Sequence, residues 1–94
     1  MRKIFISQPM QGKTNEEIKQ ERERISREIG ETVVIDSFFE GMPHDAKPVW
    51  FLGESLKTLS QADAAYFAPG WESARGCRIE HAACEEYGIK IIHD

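Results

Sequence analysis

Ala62 to Ala83 reads ADAAYFAPGWESARGCRIEHAA. The run Ala64-Ala65-Tyr66-Phe67-Ala68 is apolar and short, as a buried strand should be. Pro69-Gly70 breaks it. Trp71 to Gly76 follows, and then an amphipathic stretch that carries Glu80. The order is strand, glycine-bearing turn, helix. That order puts the turn at the carboxyl end of a strand, which in an open α/β sheet is the edge where ligands bind.

Ser73 has the short oxygen-bearing side chain of a helix N-cap. With Ser73 in that role, Ser73, Gly76, Cys77 and Glu80 stand at i, i+3, i+4 and i+7, on one helix face. A glycine inside a helix costs about 1 kcal/mol relative to alanine, so Gly76 needs a reason. One reason is a notch through which a ligand reaches Glu80. The other is close packing of helix on sheet, with Glu80 merely solvated. Spacing alone leaves both open.

Outward from this unit the pattern repeats. Residues 2–7 carry Lys3-Ile4-Phe5-Ile6, a buried first strand. Pro9 and Gly12 mark a loop. Thr14-Asn15-Glu16-Glu17 has the form of a capping box and starts a helix that runs to about Ile29, before Gly30. Thr32-Val33-Val34-Ile35-Asp36 is the second strand. Ser37 to Lys47 is a loop long enough to suggest function. Pro48 opens a helix reaching about Gln61. Asp63 opens the third strand, and Ile89-Lys90-Ile91-Ile92 forms the last. The expectation is an α/β three-layer sandwich on a four-stranded parallel sheet of order 2-1-3-4. Its switch point lies between strands one and three.

Ninety-four residues make one domain, 1–94, and so small a domain gains from oligomerisation. Phe38, Phe39, Trp50, Phe51 and Trp71 supply more large apolar side chains around the loops than a monomer's surface ordinarily shows, so a homo-oligomer is expected. The net charge of -4 argues against a nucleic-acid polymer as partner. No apolar run approaches the roughly 20 residues of a membrane span, and the start is too short for a signal peptide. A cytoplasmic protein is therefore expected. Cys77 and Cys84 lie about 10 Å apart along one helix, too far for a disulfide, and read as buried thiols.

Neither a dinucleotide nor a triphosphate glycine motif is present, and no metal-ligand spacing or cofactor signature is legible. Tyr66 and Trp71 suit either base stacking or core packing. Lys13, Arg75 and Arg78 suit either a phosphate or the solvent. His81 adjoins Glu80 without the spacing of a triad.

Ile4-Phe5-Ile6-Ser7-Gln8-Pro9-Met10, the Ala62-Asp63 opening of the third strand and the Gly76-x-x-x-Glu80 spacing together resemble the nucleoside 2-deoxyribosyltransferase-like proteins, in particular a small bacterial and phage branch. The resemblance implies a flavodoxin-like Rossmann sheet, a dimer or larger assembly, and a nucleoside or nucleotide as the small-molecule partner. It also implies that Glu80 is the catalytic nucleophile on an anomeric carbon, in a reaction that breaks or exchanges an N-glycosidic bond. Ligand-binding positions are then Ser7, Gln8, Pro9, Met10 and Gly12 on the first loop. Gly70, Trp71, Ser73 and Gly76 follow on the third-strand turn. The position of the family's assisting aspartate holds Ser55, so Glu54 or Asp45 takes that role, or the chain binds a nucleotide-derived ligand without turning it over. Asp45 and Ser55 complete the expected site.

Overall fold

The structure is a computed structural model and describes residues 2–30, 33–35 and 47–93. Four strands and three helices alternate along the chain: β1 (Lys3–Ser7), α1 (Asn15–Ile29), β2 (Val33–Ile35), α2 (Pro48–Leu59), β3 (Ala64–Phe67), α3 (Arg75–Tyr87) and β4 (Lys90–His93). A single 3-10 turn, Trp71–Ser73, sits between β3 and α3. The strands are all parallel, in the order β2-β1-β3-β4. This is the expected flavodoxin-like sandwich, with the switch point between β1 and β3.

Strand alternation divides the core into two layers. Ile4 and Ile6 of β1 face α1 and pack with Ile25, Ala64, Tyr66 and Ala68. Phe5 points the other way, toward α2 and α3, and packs with Leu59, Ala65, Phe67 and Cys84. Each large side chain buried this way contributes about 1.5–3 kcal/mol. Both cysteines are free and buried, as expected.

The helix boundaries follow local chemistry. At α1 the Thr14 hydroxyl accepts from the Glu17 N–H at 3.1 Å, while the Thr14 N–H donates to the Glu17 carboxylate at 2.9 Å. The capping box therefore forms as the sequence predicts. At α3 the expected cap does not form. Ser73 belongs to the 3-10 turn, and its hydroxyl donates to the Gly70 carbonyl at 2.8 Å. Ala74 is the N-cap, with no side chain to accept. The tight turn uses Ser73 before the helix can. α2 ends at Leu59, two residues before the expected Gln61, where the Ser60 hydroxyl turns onto the Lys57 carbonyl. The long second loop, with Asp45, Phe38, Phe39 and His44, lies outside the described residues up to Lys47. No helix among the described residues is long and apolar enough to cross a membrane.

Candidate functional site

Ser7 is the last paired residue of β1, opposite Phe67 of β3. By alternation it shares the face of Phe5, the face covered by α3. There its hydroxyl donates to Glu80 Oε1 at 2.6 Å. Glu80 is only 7% exposed and Ser7 2%. Two residues 73 apart in sequence thus meet at the switch point, because the β1–β3 pairing brings the strand end under the first turns of α3.

The pair forms the floor of an open cleft of about 970 Å³. Its walls are the Gln8–Gln11 loop, the first two turns of α2 and the first turns of α3. The α2 wall is apolar, with Pro48, Val49, Phe51 and Leu52. Lys47, Arg75 and Arg78 stand among the lining residues, and Glu80 is the one carboxylate among the described residues of the lining.

Burial pushes the Glu80 carboxyl from its ordinary value of 4.5 up to about 7. Hydrogen bonds from Ser7 and Ser55 oppose this but do not cancel it. Beside it, burial raises the Cys77 thiol to about 11; a hydrogen bond from Ser7 lowers it and the Glu80 charge adds to the rise. A thiol so placed is no nucleophile at neutral pH. A carboxyl near 7 is different. It donates a hydrogen bond when protonated, accepts when ionised, and exchanges its proton readily near neutrality. No group of three or more potential metal ligands occurs among the described residues.

Of the positions expected from sequence, Ser7, Gln8, Pro9, Met10, Ser55, Ser73, Gly76 and Glu80 line this one cleft. Gly12, Gly70 and Trp71 are not among its lining residues. Gly70 has a positive φ of 89°, which side chains rarely adopt, while a Cβ there would make only ordinary contact with Pro9 at 3.6 Å, so its part is to allow the turn after β3. Trp71 packs against Phe67 and stacks on His81 at 4.1 Å, with its indole N–H buried and without an acceptor among the described residues. Tyr66 lies in the α1-side core, its hydroxyl reaching Glu28 at 3.4 Å. Neither aromatic lines the cleft: Tyr66 is buried in the α1-side core, and Trp71 is partly buried against the edge of the other core layer. Asp45 lies outside the described residues. Glu54 pairs with Lys57 at 3.0 Å and does not line the cleft, so it is not placed to assist Glu80. Arg78 is held by the Glu72 carbonyl at 3.0 Å.

At Gly76 the two alternatives separate. A Cβ built there meets nothing within 4 Å. Close helix–sheet packing therefore does not demand glycine, and the open space beside it is the cleft. The apolar α2 wall was not anticipated as part of the site. Its signal was an excess: Pro48, Val49, Trp50, Phe51 and Leu52 are consecutive apolar residues, more than one buried helix face needs.

A family model described as Domain of unknown function (DUF4406) matches residues 2–93. No curated protein and no solved structure matches the chain. The family match overturns the resemblance to the nucleoside 2-deoxyribosyltransferase-like proteins, and the transferase and hydrolase assignments fall with it. The motifs that carried the resemblance have local explanations. Ile4-Phe5-Ile6 is a doubly covered strand, and the Asp63 carboxylate accepts from the Lys3 N–H at 2.8 Å to start the β1–β3 pairing. What stands is an α/β fold of the type that carries nucleotide sites, and on a match to residues 2–93 of 94 the chain belongs to the family described as Domain of unknown function (DUF4406).

Proposed function

We propose that the cleft binds a small hydroxylated ligand of nucleoside or nucleotide type and holds it without turning it over. Sugar hydroxyls meet Glu80 and Ser7 on the floor, Ser55 and Ser73 add polar contacts, and a flat base lies along the α2 wall. The observation that carries this reading is the buried Glu80 carboxyl, bonded to Ser7 at 2.6 Å at the bottom of an open cleft. A carboxyl half ionised near neutral pH, its charge resisted by burial and supported by the Ser7 and Ser55 hydroxyls, gains from further hydroxyl donors brought by a ligand. The cleft volume falls within the range of small-molecule sites, about 300–1,000 Å³, and such sites combine apolar walls with few polar groups. Among the described residues Glu80 is the lone carboxylate of the lining, which favours a binder over a two-carboxylate reaction.

The test is thermal unfolding of the wild type and Glu80→Gln with a panel of nucleosides and nucleoside monophosphates, each mixture then analysed by chromatography. At least one compound should raise the wild-type melting temperature and be recovered unchanged. Its affinity should fall in Glu80→Gln by about 1.5–3 kcal/mol, the range for hydrogen bonds to charged groups. A panel with no stabilising compound at millimolar concentration, or equal stabilisation of both proteins, would overturn the reading.

A further inference from the structure

Ser7 and Gln8 are neighbours at the carboxyl end of β1, and they face opposite sides of the sheet. Ser7 meets Glu80. Gln8 is 4% exposed, and its side-chain amide turns to α1. There Nε2 donates to Glu21 Oε1 at 2.8 Å and to the Ile18 carbonyl at 3.3 Å, while Oε1 accepts from Arg22 Nη1 at 3.2 Å. The network extends at both ends. Arg22 Nη2 reaches the carbonyl of Ile35, the last residue of β2, at 3.5 Å. Lys13 pairs with the same Glu21 oxygen at 3.3 Å. The loop from Gln8 to Lys13 is therefore tethered at both ends to one carboxylate of α1, and between the tethers Pro9, Met10 and Gln11 line the cleft.

We infer that Gln8, held by Glu21 and Arg22, is a positioning residue: it sets the height of the Pro9–Gln11 wall and aims Ser7 at Glu80, its side-chain amide turned to α1 and away from the ligand. Gln8 and Ser7 share a peptide unit, so a backbone shift at Gln8, once its amide is no longer held, also moves the Ser7 hydroxyl. A hydrogen bond of 2.6 Å is sensitive to such a displacement. A buried amide whose donors and acceptor are all engaged has one low-energy orientation, because any other leaves polar atoms unpaired. Simple docking of α1 onto the sheet is the competing explanation, and apolar Ile18 and Ile25 already supply that docking.

The affinity arm of the test rests on the ligand-binding reading above; the other two arms do not. The variants are Gln8→Ala, Gln8→Glu, and Gln8→Glu combined with Glu21→Gln, which returns the hydrogen bond with donor and acceptor exchanged. The measurements are amide hydrogen exchange of Met10 to Lys13, the Glu80 carboxyl titration followed by carbon NMR, and affinity for the panel compound that best stabilises the wild type. Gln8→Ala should speed loop exchange and weaken binding, each by about tenfold or more. It should also move the Glu80 midpoint upward, because the Ser7 hydrogen bond holds that midpoint down. The double variant should restore all three relative to Gln8→Glu. Lowered global stability with loop exchange and Glu80 titration unchanged would overturn the inference and leave Gln8 a docking residue. If no compound binds the wild type, the ligand reading fails, and exchange and titration still decide the role of Gln8. If Gln8→Ala does not fold, Gln8→Glu and its rescue carry the same measurements.

Discussion

Replacing Glu80 by glutamine should make the protein more stable above neutral pH and leave it nearly unchanged below pH 5. The carboxyl titrates near 7 in the folded protein, against an ordinary 4.5, chiefly because burial disfavours its charge. A raised value means that the folded state holds the proton more tightly than the unfolded state does. The stability that this supplies is fully present below about 4.5, declines as pH rises, and is gone above about 7. At 1.36 kcal/mol for each pH unit, the full displacement is worth about 3 kcal/mol, and about 2 to 3 kcal/mol of it falls between pH 5 and pH 8. Glutamine is nearly isosteric, still accepts from the Ser7 hydroxyl, and does not ionise. The assay is urea unfolding of both proteins at pH 5, 6, 7 and 8. Subtracting the two curves cancels every other titrating group, which isolates Glu80. For a domain of this size each kcal/mol moves the melting temperature by about 4–8 °C, so the divergence at pH 8 is readily seen. A difference that stays flat from pH 5 to pH 8 would refute the reasoning, since it would mean that Glu80 is already ionised throughout.

Gly76→Ala should stabilise α3 by about 0.5–1 kcal/mol in thermal unfolding, because the added methyl meets nothing within 4 Å; the same methyl enters the cleft and should weaken binding of the panel compound. Thr14→Ala removes the acceptor of the capping box and should cost about 0.5–2 kcal/mol in the same assay, with ligand affinity unchanged. Light scattering at micromolar concentration should give a mass above the 10.8 kDa of one chain, since Val49 is 68% exposed beside the cleft and Trp50 and Ile79 are also open to solvent; a monomer would remove the expectation of an assembly.

The fold was legible because each strand is a short apolar run bounded by turn residues, and each helix announces its start. The Thr14–Glu17 box and Pro48 are read directly from sequence, and both stand where expected. The meeting of Ser7 with Glu80 was also within reach. Helix period put Glu80 on the face of Gly76, and the alternation of strand and helix put that face at the switch point. Ser73 escaped, because a serine followed by a helix looks the same whether it caps that helix or closes a turn before it. Trp71 escaped for a related reason: an aromatic residue after a strand can turn into a cleft or back onto the core, and Phe67 and His81 decide for the core only once α3 is in place. Gln8 was identified as a cleft residue, but the direction of its amide depends on Glu21 and Arg22, which from sequence look like any charged pair on a wet helix face.

The energetics of Glu80 bear on why it is there. A domain of this size has a total stability of only about 5–15 kcal/mol. Holding a carboxyl in a site that resists its charge forgoes about 3 kcal/mol above neutral pH, and an apolar residue at position 80 would not carry that cost. The fold does not need the carboxyl: α3 docks through Cys84 and Ala83 against Phe67, Ile89 and Ile91, none of which depends on Glu80. Glu80 accepts from the buried Ser7 hydroxyl, but an alanine at position 7 beside an apolar residue at 80 would remove donor and acceptor together. A costly group at the floor of an open cleft, beside a glycine that packing does not require, is what the proposed ligand site asks for. On that proposal, a ligand whose hydroxyls donate to the carboxylate offsets the cost.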